Sequence, residues 1–191
     1  MFAQMRDHPL LKELFASTSH QRVLSVLAER PGVALYVREI SSLAGVSAGG
    51  ASEVLADLAA LNLVARQQRG KLTLYTADVA APLIRYFKIL LNLADLQLLL
   101  DKLKLIAREV ILFGSRAEGT DTTESDIDLF VIAADKTAIY ETVQQSTLAE
   151  KTRPVVITPI ESVELKQQDP LFYEQVMRGI LLWKGLSQDE S

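Results

Sequence analysis

The chain has 191 residues, with 20 Lys and Arg against 24 Asp and Glu, and a formal net charge of -4 at pH 7. That length allows two modest domains or one larger one, and the charge excludes a generally basic surface while leaving room for a local basic patch. Cysteine is absent, which excludes disulfides, thiolate metal sites and cysteine nucleophiles.

The charge is unevenly placed. Residues 1–80 hold 8 basic and 7 acidic groups, whereas residues 81–191 hold 12 and 17. Charge and proline interrupt the opening residues too early for a signal peptide. The apolar stretch Leu90–Leu100 is interrupted by Asp95 and flanked by Lys88 and Asp101, so it falls short of a membrane span. A soluble, cytoplasmic chain without a membrane partner is the expectation.

In residues 1–80, Leu10–Phe15 fits a short leading helix. Ser19 is a candidate N-cap for a helix over Gln21–Ala28 that places Val23, Leu24 and Leu27 on one face. Pro31 and Gly32 close it. A second helix is predicted over Val37–Leu43, with Gly45 in the turn. Ser47 then opens a third to about Leu61, with Ala51, Val54, Leu55 and Leu58 at core spacing. Val64–Arg66 and Leu72–Tyr75 read as strands joined by a basic turn with Gly70 at its tip.

Helix, helix, turn, helix and basic hairpin is an order that resembles the winged helix-turn-helix domain. The resemblance implies that the third helix enters the major groove of double-stranded DNA and the hairpin touches backbone or minor groove. The start of that helix offers Ser47 and Ser52 but no Arg, Lys, Asn or Gln able to reach a base edge in bidentate fashion. Arg38, Arg66, Arg69 and Lys71, helped by Gln67 and Gln68, are the candidate phosphate contacts. DNA binding and protein docking both stay open, and a small reading surface of this kind leads to the expectation of a homodimer.

Residues 81–107 read as a leucine-rich helical connector. Pro82 suits a first helical turn, Asn92–Asp95 is a candidate break into two helices, and Tyr86 and Phe87 read as packing residues.

Residues 108–191 carry the chemistry. Ile111–Phe113 is an apolar strand, Gly114 and Ser115 a tight turn, and Ile127–Val131 a second strand whose start carries Asp126 and Asp128. Side chains at i and i+2 share one face of a strand, so both carboxylates point one way while Ile127 and Leu129 are buried on the other. Two carboxylates on an apolar strand call for a positive partner; Mg2+, which prefers carboxylate and phosphate oxygens, fits. A helix over Ala138–Leu148, a third strand over Arg153–Thr158, a helix from Glu161, another over Leu171–Met177 and a final strand within Gly179–Gly185 complete an expected α+β unit with a small mixed sheet and flanking helices.

The run Gly114–Gly119 followed by Ser125–Val131 closely resembles the minimal nucleotidyltransferases of the DNA polymerase beta-like superfamily. The resemblance implies a nucleoside triphosphate cradled by Gly114 and Ser115, with Arg116 and Ser125 as further nucleotide-binding candidates. It also implies Mg2+ held by Asp126 and Asp128 as the catalytic pair. Acceptors in such enzymes include a protein hydroxyl, as in antitoxins that nucleotidylate a partner toxin, or a small molecule. Active members usually place a third carboxylate on the strand beside the Asp-X-Asp motif. Here Thr152–Pro159 contains no acid. The position facing the metal falls at Arg153 or Val155, and Glu161 or Glu150 would have to reach in from outside the strand. Two functions remain: nucleotidyl transfer coupled to DNA binding, or a non-catalytic transcriptional regulator whose transferase-like domain senses nucleotide or holds a partner.

Overall fold

The computed structural model describes residues 17–70, 72–78 and 81–185. Lys71, the predicted Leu10–Phe15 helix and the final residues lie outside that description. The chain divides into two compact units between Lys88 and Ile89.

The first unit contains α1 (Thr18–Ala28), β1 (Leu35–Tyr36), α2 (Val37–Ala44), α3 (Ala48–Ala60), β2 (Val64–Arg69) and β3 (Leu72–Ala77). Its three strands lie in the order β1-β3-β2, both pairs antiparallel. Helix α1 starts earlier than expected because Ser17, not Ser19, is the N-cap and accepts from the His20 backbone N–H. Ser47 caps α3 as the sequence indicates, accepting from Gly50 N–H at 3.1 Å. Val23, Leu24, Leu27, Ile40, Ala51, Leu55 and Leu58 are fully buried, so the helical spacing read from the sequence builds this core. Burying each large aliphatic side chain is worth roughly 1.5–3 kcal/mol. The His20 ring lies 3.2 Å from the Asp57 carboxylate and links α1 to α3.

Helix α4 (Pro82–Leu103) is continuous; the expected break at Asn92–Asp95 does not occur. Asn92 is a poor helix former when its amide competes for the backbone, but here that amide is bonded to distant groups described below. Phe87 is buried, whereas Tyr86, expected to pack, is 71% exposed.

The second unit continues with β4 (Glu109–Phe113), α5 (Gly114–Glu118), β5 (Ile127–Ile132), α6 (Lys136–Gln144), β6 (Thr152–Ile157), α7 (Pro159–Gln168), α8 (Pro170–Met177) and β7 (Ile180–Lys184). The sheet order is β6-β5-β4-β7. Strands β5 and β6 are parallel and the other pairs antiparallel, which is the expected mixed sheet. One face packs Val110, Leu112, Leu129, Val131 and Val156 with Leu96, Leu99, Leu103, Ile139 and Val143. The other packs Ile111, Phe113 and Phe130 with Val176, Leu165 and Phe172. Coverage on both faces explains why β4 reads as a continuous apolar run without alternation. Pro154 is tolerated because β6 is an edge strand.

The bounds of two helices in this unit, α6 and α7, differ from expectation. Asp135 accepts from Ala138 N–H and starts α6 at Lys136, and the helix ends at Gln144 rather than Leu148. Helix α7 begins at Pro159, with Thr158 as its N-cap, so Glu161 lies inside the first turn instead of opening the helix.

Candidate functional site

The candidate site lies where β4 ends, α5 turns away and β5 begins. Phe113 is the register partner of Asp128, and Asp128 that of Arg153 on β6. Gly114 follows Phe113 with φ +71°, and a Cβ there would run into the Asp128 carboxylate. Glycine is required twice over, for the left-handed backbone and for the close approach. The Gly-Ser turn and the Asp-X-Asp motif, separated in sequence, are thus in direct contact. Ile127 and Leu129 are buried as expected, while Asp126 is exposed and Asp128 half-buried. Phe172 of α8 meets Phe113 and Phe130 edge-on at 5.8 and 6.2 Å between ring centroids, so the same sheet face becomes apolar immediately beyond the acids.

Arg116 has a structural use. Its Nε donates to the Asp126 carbonyl at 3.1 Å, one terminal nitrogen to the Ser125 carbonyl at 3.0 Å, and the other to Asn92 Oδ1 at 2.8 Å. Asn92 in turn donates to the Arg116 carbonyl and to the buried Asp121, both at 3.1 Å. This buried polar network ties α4, α5 and the loop before β5 together. Arg116 therefore positions the backbone that presents Asp126. Ser125 is likewise engaged in its own turn, its hydroxyl accepting from Thr122 N–H at 2.9 Å. Lys151 braces the same loop by donating to the Thr123 carbonyl. Ser115 stands at the start of α5, partly exposed. Sequence reasoning gave Asn92 only as the start of a helix break, and its one signal as a positioning residue was a polar side chain in a leucine-rich helix.

Arg153 is the β6 residue that reaches the acids. One guanidinium nitrogen lies 3.2 Å from Asp126 Oδ1, and another donates to the Glu150 carbonyl at 2.7 Å. Both side chains of the pair are about half exposed, at 55% and 48%. Ion pairs of that kind contribute only roughly 0–1 kcal/mol and are readily exchanged. Burial and the neighbouring Asp126 carboxylate raise the Asp128 pKa above its ordinary value, with Arg153 and Arg116 pulling the other way. Glu161 is committed elsewhere. Lys136, and then the Thr158 backbone N–H, hold its pKa down at about 2. Among the described residues no group of three or more Asp, Glu or His converges as a metal cage. The donor set beside Gly114 is two carboxylates, which fits one hard cation sharing its remaining positions with phosphate oxygens and water, and does not fit two.

In the first unit, Arg38, Ser47, Ser52, Arg66 and Arg69 are all exposed. Arg66 and Arg69 are three residues apart on β2, so they point to opposite faces of the hairpin. Gln68 is occupied within the hairpin. Its amide donates to the Gly70 carbonyl and accepts from Thr73, both at 3.1 Å, which argues against the phosphate role expected for it. No helix of the described residues is long and apolar enough to cross a membrane.

Fold and site together define a chain that joins a winged-helix-like unit to a nucleotidyltransferase-like unit. The family profile described as "Polymerase beta, Nucleotidyltransferase" matches residues 95–188, and the profile "MarR family" matches residues 17–71. Among curated proteins, the chain is 33% identical over 82 residues to the protein adenylyltransferase MntA of Shewanella oneidensis. That match covers 42% of this chain and 56% of the relative, so the chain spans little more than half the length of the relative. Among solved structures, a MarR family transcriptional regulator from Silicibacter pomeroyi is 15% identical with a TM-score of 0.40, the match covering 50% of this chain and 71% of that one. A Sulfolobus solfataricus protein assigned as a nucleotidyltransferase is 18% identical with a TM-score of 0.34, covering 52% and 86%.

Proposed function

We propose that the chain is a Mg2+-dependent nucleotidyltransferase coupled to a DNA-binding unit, moving a nucleoside monophosphate from a nucleoside triphosphate to a hydroxyl on a protein or small molecule. The observation that carries the reading is the contact between the Gly114 turn and the Asp128 carboxylate, with Asp126 beside it. Gly114 lets the polyphosphate approach the backbone, and Ser115 donates to it from its hydroxyl and N–H. Asp126 and Asp128 hold the cation, which supplies charge neutralisation at the phosphate oxygens when bound. In the transfer, a bond forms between the acceptor oxygen and the α-phosphorus, the bond to pyrophosphate breaks, and the hydroxyl proton passes to a base this chain leaves unassigned. The protein adenylyltransferase relative favours a protein acceptor, and a toxin partner is one acceptor that the sequence resemblance implies. The exposed Arg38, Arg66 and Arg69 favour backbone contacts to double-stranded DNA, with Ser47 and Ser52 at the groove-facing end of α3.

The second reading is a non-catalytic regulator that binds nucleotide and DNA without transfer. It is favoured by β6, which presents Arg153 where active relatives of the fold usually carry an acid. Incubation with each α-labelled nucleoside triphosphate and Mg2+, alone and with cell extract, separates the two. Label on a protein or small molecule, absent in an Asp126→Ala/Asp128→Ala control, establishes transfer. Nucleotide binding without label in any species leaves the regulator, and neither binding nor label overturns both.

A further inference from the structure

We propose that Arg153 is a resident cation occupying the place of a second metal ion, so that the site takes a single divalent ion and Arg153 sets that limit. The proposal rests on the nucleotide reading above for its ligand, but its evidence is separate. Asp128 and Arg153 are register partners across the parallel β5–β6 pair, so position 153 stands opposite Asp128 by construction of the sheet. The guanidinium reaches Asp126 Oδ1 at 3.2 Å, while its other terminal nitrogen is pinned by the Glu150 carbonyl at 2.7 Å. The residues best placed to add a third carboxylate do not converge: Glu161 is held by Lys136 and by the Thr158 N–H, and no three-acid group occurs among the described residues.

The chemistry follows from charge and geometry. With two carboxylates, one bearing a guanidinium, a second divalent ion has neither a free ligand nor a favourable field. A guanidinium presents fixed N–H donors that match phosphate oxygens as well as carboxylates. With Asp126 given over to a cation, the Arg153 guanidinium would be free to exchange that carboxylate oxygen for a phosphate oxygen of the nucleotide. The pair is exposed enough for that exchange. Arg153 is therefore a nucleotide-contacting residue that also holds Asp126 until a cation arrives.

The test counts Mn2+ bound to the intact chain by electron paramagnetic resonance, with and without a non-hydrolysable ATP analogue. The wild type should bind one Mn2+ per chain, Arg153→Asp two, and Arg153→Lys one. Arg153→Ala should bind Mn2+ in the free chain more tightly, by up to about fivefold, and the ATP analogue more weakly. Circular dichroism on each variant checks that it folds as the wild type does. Two ions in the wild type, none in the wild type, or one in a folded Arg153→Asp chain would overturn the proposal. One ion in the wild type with no analogue bound sinks the nucleotide reading while the single-cation assignment stands.

Discussion

The two units solve different problems with the same kinds of helix and strand. In the first, the core is mainly aliphatic, and its buried polar groups, His20, Ser41 and Lys88, are not the exposed arginines and serines offered for DNA. In the second, a polar network of Asn92, Arg116 and Asp121 and a half-buried carboxylate are built into the fold beside the sheet. Buried polar groups of this sort are tolerated only when satisfied. The contrast teaches that a substitution in the Asn92 network or at Gly114 should disturb fold and site together, whereas one at the exposed arginines of the first unit should disturb surface binding alone.

The largest effect expected to sharpen that contrast is from Asn92→Ala. Losing the amide removes one hydrogen bond from the buried Asp121 and two from Arg116, which should lower stability by about 1–3 kcal/mol. Trp183 is the only tryptophan and packs against the second unit's core, so its fluorescence in a urea titration reads that unit directly. An unchanged midpoint would show the network to be incidental.

Next is Gly114→Ala, which puts a Cβ into the Asp128 carboxylate at a left-handed backbone position. The backbone alone costs about 1–2 kcal/mol, and nucleotide binding should be lost with it, while affinity for duplex DNA stays as in the wild type. Loss of DNA affinity as well would break the separation of roles.

On the first unit, Arg66→Ala and Arg69→Ala should leave stability unchanged and weaken binding to all duplex sequences alike. Each should reduce the slope of log affinity against log salt by about 1. Because the two arginines face opposite sides of the hairpin, only one of them changing the slope would identify the face that meets DNA.

The smallest effect concerns Asp128, whose pKa is raised above its ordinary 3.8. A carboxylate raised on folding destabilises the native state once both states are ionised. Asp128→Asn should therefore be more stable than the wild type at neutral pH. That advantage should shrink as pH falls through the raised pKa and be gone below 3.8. Thermal melts at a series of pH values check both sign and window.

Much of this was legible in local pattern. Ser47 as a cap, the aliphatic spacing of α3 and the burial of Ile127 and Leu129 on either side of Asp128 all follow from rules that act within a few residues. What could not be read depends on distant pairing. Asn92 looked like a helix break because its partners lie 24 and 29 residues further on, and only the folded loop shows that its amide leaves the helix backbone alone. Arg116 sits inside a phosphate-binding pattern, yet its acceptors are mainly carbonyls that no side-chain pattern encodes. Arg153 and Val155 were equivalent until the β5–β6 register placed Arg153 opposite Asp128.

The central claim is that Gly114, Ser115, Asp126 and Asp128 form one nucleotide and cation site. Calorimetric titration of a Mg2+–nucleoside triphosphate analogue into the intact chain tests it most directly. One nucleotide should bind per chain, and binding should vanish in a folded Asp126→Ala/Asp128→Ala variant. Saturable binding of equal affinity in that variant, or no binding of any nucleotide by the wild type, would contradict the account.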